Sequence, residues 1–270
     1  MEIEALPPAC PLCGVRRTCP RSTRLGVLHR CQDCEFVFAV STSDPSEPDL
    51  YQEEWAQDVL NPTFYFDGTR YRPRSRTRMQ SLLNRLAPYR GLNRMLDVGC
   101  SAAFFLQLAR ERGWQVRGVE VSEFGVKYSR TELGIDVFHG TLHEARFPDG
   151  AFDVAVSSHV IEHVADPRGF VREMARVVRR RGAVVTTAPT QLSSPGYKLF
   201  GVPSGEAPPR HVSFFSPRTL ARLMTDEGLR VVEKLVNVEF HQFVRACKTV
   251  LGWRRTDKGP CGPHLSPGSA

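Results

Sequence analysis

The sequence predicts an α/β protein, a parallel sheet with helices on both faces, preceded by a small cysteine-rich module. Three observations carry that prediction. The run Met95-Leu96-Asp97-Val98-Gly99-Cys100-Ser101 ends an apolar stretch in Asp and Gly, and an acid, Glu120, closes a second apolar stretch downstream. That order reads as β-α-β with a ligand-approachable first turn and a hydroxyl-binding acid after the second strand, the Rossmann-like arrangement. Apolar runs near 94–98, 114–119, 135–138, 152–157 and 183–188 alternate with helical stretches, which implies parallel strands joined by helices. Finally, Cys10-Pro11-Leu12-Cys13 and Cys31-Gln32-Asp33-Cys34 form two CxxC pairs at zinc-ribbon spacing.

Taken in chain order, residues 1–40 form the ribbon. A two-residue gap lets both thiolates of a knuckle face one ion, so Cys10, Cys13, Cys31 and Cys34 complete a tetrahedral four-thiolate zinc site. Such a site leaves no coordination position for water and is read as structural, because a segment this short lacks the core to fold unaided. Cys19 is a poorer ligand candidate. Phe36-Val37-Phe38 is a short strand. Residues 41–69 are linker and lid: Ser41 to Asp49 is rich in Ser, Asp and Pro, and Tyr51 to Asp67 is aromatic and irregular. The main domain spans 70–253. It opens on an amphipathic helix with Met79, Leu82, Leu83 and Leu86 on one face, approached by Arg70, Arg72, Arg74, Arg76 and Arg78. Pro and Gly residues mark 190–215 as a substrate-covering insertion. A helix from Pro217 to Glu227 stops at Gly228, Leu229 to Val244 supplies the last strands, and 254–270 is a disordered tail.

The chain has 270 residues, 41% of them hydrophobic, enough for one α/β domain with additions and a sizeable core. No apolar run approaches the ~18 residues of a spanning helix, and Met1-Glu2-Ile3-Glu4 does not begin a signal peptide. A cytoplasmic protein that does not engage membranes is expected, in which metal rather than disulfide claims the paired cysteines. The net charge of +7 comes from arginine, which far outnumbers lysine. It suits an anionic partner, but a general preference for Arg is the plainer account.

The wording of the first motif is more specific than its spacing. Leu96-Asp97-Val98-Gly99-Cys100-Ser101 resembles the first motif of class I S-adenosylmethionine-dependent methyltransferases, usually LDVGCGTG. Gly118-Val119-Glu120-Val121-Ser122, Phe147 to Val154, His159 to Pro167 and Ala175 to Pro189 resemble the later motifs. The likeness is to the branch holding ubiquinone-pathway O-methyltransferases and natural-product methyltransferases. It implies S-adenosylmethionine as cofactor on a class I methyltransferase sheet. Asp97, Gly99, Ser101, Glu120, Val121, Thr141, Leu142 and Ser158 would then line the cofactor site, with Glu120 on the ribose hydroxyls and Arg78 or Arg76 meeting the methionyl carboxylate. Two departures stand out. Ser101 and Ala103 occupy positions usually held by glycine, and Thr141 or the backbone near Leu142 replaces a customary adenine-binding Asp.

His159-Val160-Ile161-Glu162-His163 spells HxxEH, a peptidase motif, yet its place after the fourth strand argues for the ligand-binding edge of the sheet instead. If a helix opens there, positions i, i+3 and i+4 share one face. Methyl transfer needs the acceptor aligned and deprotonated, and histidine titrates in a suitable range. His163 is the first candidate base and His159 the second; the plain alternative is that His163 packs while Glu162 pairs with an arginine. Some relatives place a divalent metal here, which leaves a metal near Glu162 open. Pro208 to Phe215 resembles a PPRHLxxF element of the same branch, bringing His211 over the site with Phe214 and Phe215 as an apolar wall and Arg210 beside it. The expected activity is methyl transfer to a small-molecule acceptor, a hydroxyl of a natural product, sugar or quinone-like ring. Nucleic acid is the second candidate partner, through the ribbon and the Arg70–Arg78 region; a zinc-binding interaction protein on a decayed frame is the third reading.

Overall fold

The computed structural model describes residues 7–23, 25–40, 73–190, 192 and 208–235. The 41–69 lid, Arg70, Arg72, the side chain of Arg74, most of the 190–215 insertion, residues 236–244 of the expected last strands, Cys247, Cys261 and the 254–270 tail lie outside them.

Near the N-terminus, strands β1 (Thr18–Thr23), β2 (Gly26–Cys31) and β3 (Val37–Phe38) run antiparallel. A fourth strand comes from far along the chain: β9 (Ser213–Phe214) pairs antiparallel with β3, giving the order β1-β2-β3-β9. The main sheet comprises β4 (Arg94–Val98), β5 (Gln115–Glu120), β6 (Val137–His139), β7 (Phe152–Ser158) and β8 (Val178–Thr187). It is parallel throughout, in the order β6-β5-β4-β7-β8. The chain steps outward from β4 to β6 and then returns to β7 on the other side. The crevice at the carboxyl end of β4 is therefore the topological switch point, where such sheets bind ligands. The helices are α1 (Pro73–Leu86), α2 (Phe104–Glu111), α3 (Glu123–Thr131), α4 (Pro167–Val177) and α5 (Pro217–Asp226). No described helix is long and apolar enough to cross a membrane.

Alternation along the strands divides the core. Met95 joins Leu83, Leu86, Phe105, Leu108 and Trp114 under α1 and α2, whereas Leu96 and Val98 join Met174 and Val177 of α4 on the opposite face. An aspartate fixes the entry to β4. Asp153, wholly buried on β7, accepts hydrogen bonds from the Gly91, Leu92 and Arg94 amides and pairs with the Arg179 guanidinium. These contacts hold its carboxyl below the usual range in spite of burial.

Three expectations need correction. Strand β8 begins at Val178, directly where α4 ends, rather than near 183, because Arg179, Arg180 and Arg181 extend a strand whose apolar signal starts later. The segment 159–163 opens no helix: α4 starts at Pro167, capped by the Asp166 side chain, and 161–163 is a turn. Residues 229–235 carry no strand.

Candidate functional site

Residues after β4 build one half of the site. The turn there has positive φ at Gly99 (72°), Ser101 (59°) and Ala103 (54°). Glycine adopts this left-handed region freely, whereas each L side chain in it costs roughly 1 kcal/mol. The chain thus keeps a glycine-type backbone with Ser and Ala in two of its positions. Gly99 has a second constraint, since a Cβ there would collide with the Val160 side chain. Glu120, at the end of β5 and buried, ties the two turns together: Oε2 accepts from the Ser101 amide at 2.7 Å and Oε1 from the Ser122 amide at 2.9 Å. The Gly140 amide after β6 donates to the Glu120 carbonyl at 2.9 Å.

Asp97 is buried close by on β4. Burial, and then the negative charge of Glu120, push its carboxyl up to about 8; burial also raises Glu120 against the pull of its backbone donors. Two acids so desolvated favour a ligand bringing hydroxyl donors and positive charge. The Ser157 hydroxyl, level with Val98 at the end of β7, is buried without a hydrogen-bond partner. A ribosyl sulfonium cofactor fits this donor and acceptor set.

The other residues expected here are more dispersed. Val121 is half-buried and its carbonyl lies 3.1 Å from His139 Nε2. Thr141 is bound through amide and hydroxyl to Glu144, at 2.7 and 2.8 Å, and Leu142 is buried in the core. Ser158 is exposed, with its hydroxyl 3.1 Å from that of Thr187. Arg78 is exposed on α1, and Arg76 reaches Glu111 of α2 at 3.7 Å.

Val160, seated on Gly99, brings the second half of the site against the first. His159 is left-handed (φ 58°), its side chain more than half exposed, and its Nδ1 lies 3.3 Å from Glu162 Oε1. Glu162 is 1% exposed, and its Oε2 has no hydrogen-bond partner. Among the described residues its ion-pair partner is this histidine and not an arginine. The Glu162 carbonyl accepts the Val212 and Ser213 amides, both at 3.0 Å. His163 Nδ1 donates to the Arg210 carbonyl at 2.9 Å, which fixes the tautomer with the basic lone pair on Nε2. His211 is buried with its ring 4.7 Å from that of His163, edge to face. Burial, then the neighbouring His163, push His211 down to about 4, so it is neutral near pH 7. Ligand atoms of Glu162, His163 and His211 all lie within 4.8 Å of one another, a grouping able to hold a cation. The turn, not a helix face, makes this convergence.

Phe215 forms no wall over the site. Its ring sits 5.0 Å from that of Phe36 in a core shared with Cys10, Leu12, Cys31, Cys34, Ile161 and Leu223. Phe214 is likewise buried, in β9.

The four ribbon cysteines converge, with all four Sγ atoms within 4.8 Å of one another and Cys10–Cys34 and Cys13–Cys31 each at 3.5 Å. A regular tetrahedron with Zn–S of about 2.3 Å spaces sulfurs by about 3.8 Å. Burial pushes the Cys10 thiol up to about 11 and raises Cys34, while at Cys31 burial is outweighed by the Cys34 and Asp33 amides. Four thiols gathered with amides aimed at them fit a zinc ion.

With this geometry in place, comparison with known proteins is decisive. A family model described as a methyltransferase domain matches residues 70–234. The chain belongs to the class I S-adenosylmethionine-dependent methyltransferase family. A probable S-adenosylmethionine-dependent methyltransferase of Mycobacterium tuberculosis is 31% identical over 160 residues, covering 58% of this chain and 55% of that protein. A ubiquinone biosynthesis O-methyltransferase of Caulobacter vibrioides is 34% identical over 102 residues, covering 36% of this chain and 40% of its own length. The chain therefore spans little more than half of the first relative and less of the second. Among solved structures, the [4+2]-cyclase SpnF aligns with a TM-score of 0.58 at 19% identity, covering 78% of this chain and 83% of that one. That likeness concerns the methyltransferase fold alone.

Sequence reading passed over Asp153 with Arg179, the buried Ser157 and the union of β3 with β9. Their only local signals were an acid inside an apolar run and a short aromatic stretch, and neither names a distant partner.

Proposed function

We propose that this methyltransferase transfers the methyl group of S-adenosylmethionine to a hydroxyl of a small-molecule acceptor, a natural product, sugar or quinone-like ring. The observation that carries the reading is the seating of Val160 on Gly99, which sets the Glu162–His163–His211 cluster against the cofactor turn. When bound, the cofactor supplies a methyl group on positively charged sulfur, which an incoming nucleophile displaces in line. Asp97 and Glu120 bind and orient it through their buried carboxylates. His163, with its proton held on Nδ1 by the Arg210 carbonyl, presents Nε2 to take the acceptor proton. Glu162 stabilises the imidazolium so formed, and His211, held neutral, donates or accepts a hydrogen bond without competing for the proton. His159, exposed at the rim, is the second candidate base. A divalent cation on Glu162, His163 and His211 would instead acidify the acceptor hydroxyl directly. Zinc on Cys10, Cys13, Cys31 and Cys34 is structural in this account.

The ribbon's charge balance supports a small acceptor over RNA, since Arg17 pairs with Asp33 and Arg30 with Glu35. The test is a methyl-transfer screen over hydroxylated small molecules with RNA as comparison. His163→Ala is expected to lower kcat by about 10²–10⁴-fold with unchanged binding of S-adenosylhomocysteine. Unchanged turnover in that variant removes His163 from the chemistry.

A further inference from the structure

We propose that the ribbon is a positioning element for the acceptor side of the site: by supplying β3 to β9, it sets the placement of His211 against Glu162 and His163. The proposal rests on assigning those three residues to acceptor handling, and on nothing in the cofactor half.

Continuous contacts run from the cysteine cluster to the histidines. Cys31 closes its knuckle on Phe36, whose carbonyl accepts the Cys31 amide at 2.9 Å. Phe36 is buried against Phe215, and Val37–Phe38 pair with Phe214 and Ser213. The Ala39 amide then donates to the Val212 carbonyl at 2.9 Å. From the other side, the Val212 and Ser213 amides donate to the Glu162 carbonyl. The segment beside His211 is thus clamped between the ribbon and the Glu162 turn. A second tie comes from Arg168 of α4, which reaches both the Leu12 carbonyl at 3.0 Å and Glu227 at 2.7 Å.

The physical reason such a clamp matters lies in β9 itself. A two-residue strand outside the main sheet has too few hydrogen bonds to hold its own register. Part of what fixes it comes from β3, and β3 follows directly on the second cysteine knuckle. Among the described residues, the buried cluster beneath the cysteines joins the ribbon to Ile161, Val171, Phe215 and Leu223. The buried apolar residues of the turn after β4, Cys100, Ala102 and Ala103, pack in separate clusters.

The clamp is tested on the full chain with Ala39→Pro, which removes the amide donated to Val212 and leaves all four cysteines, and with Ala39→Val, which restores it. Peptide-resolved hydrogen exchange, calorimetric titration with S-adenosylhomocysteine and the thiolate-to-metal absorption of the cobalt-loaded protein are measured together. We expect amide exchange across 208–216 to rise at least about tenfold in Ala39→Pro and in chelator-treated protein. Ala39→Val should match the parent, the cobalt band should persist in Ala39→Pro, and S-adenosylhomocysteine affinity should stay within about twofold throughout. Unchanged exchange across 208–216 in Ala39→Pro overturns the proposal. So does exchange that spreads through β4 and β5 with loss of S-adenosylhomocysteine binding, since the ribbon would then be a general stabiliser.

Discussion

Ser101 and Asp97 show how this site departs from rest at the level of single side chains. Ser101 holds φ at 59° while its amide donates to Glu120, so its backbone is held by that contact rather than by its own preference. Ser101→Gly is expected to change stability by no more than about 0.5 kcal/mol in urea unfolding, because the relief of left-handed strain is largely offset by the entropy glycine adds to the unfolded chain. S-adenosylhomocysteine affinity should be no weaker. At Asp97 the sign follows from a folded pKa of about 8 above the ordinary 3.8. Between those values the native state binds more protons than the unfolded state, so the stability of the ligand-free protein falls as pH rises through that window. Asp97→Asn removes the share of the slope that Asp97 contributes. It should raise stability at pH 8 by at least about 1.4 kcal/mol, one unit's equivalent, with the advantage shrinking as pH falls toward 4. Thermal unfolding across that range checks the sign.

Among the elements, the parallel strands were legible because each is an apolar run with helical periodicity on either side. The start of β8 was not legible, because Arg179, Arg180 and Arg181 give its first residues charge, and of the three it is Arg179 that reaches buried Asp153. Nor was the turn at 159–163: HxxEH spacing is equally compatible with a helix, and only Asp166 capping α4 decides against it. Asp153 anchors the loop into β4 from a wholly buried position, so Asp153→Ala strands the Arg179 charge and leaves three amides unpaired. A loss of about 3–5 kcal/mol is expected in denaturant unfolding. A change under about 1 kcal/mol would show the pair to be as weak as a surface one.

For the molecule as a whole, local patterns identified two modules, and the long-range pairing of β3 with β9 joined them. Four cysteines at ribbon spacing could be read directly; that their knuckle borders the segment carrying His211 could not, because Phe38 and its partner Ser213 lie 175 positions apart in sequence. The same nonlocality moved Phe215 from an expected site wall into the ribbon core. His163 and His211 were both visible as candidates, but their 4.7 Å approach depends on that closure. Asp97, Gly99 and Glu120 lie at the carboxyl ends of neighbouring strands β4 and β5, which is why their grouping was legible from one β-α-β unit.

The most direct test of the central claim is calorimetric titration of the metal-loaded protein with S-adenosylhomocysteine, alongside Asp97→Ala and Glu120→Ala. The account predicts a Kd of about micromolar order for the parent and a loss of at least about tenfold in each variant. No binding by a folded parent protein, or equal binding by both variants, would contradict it.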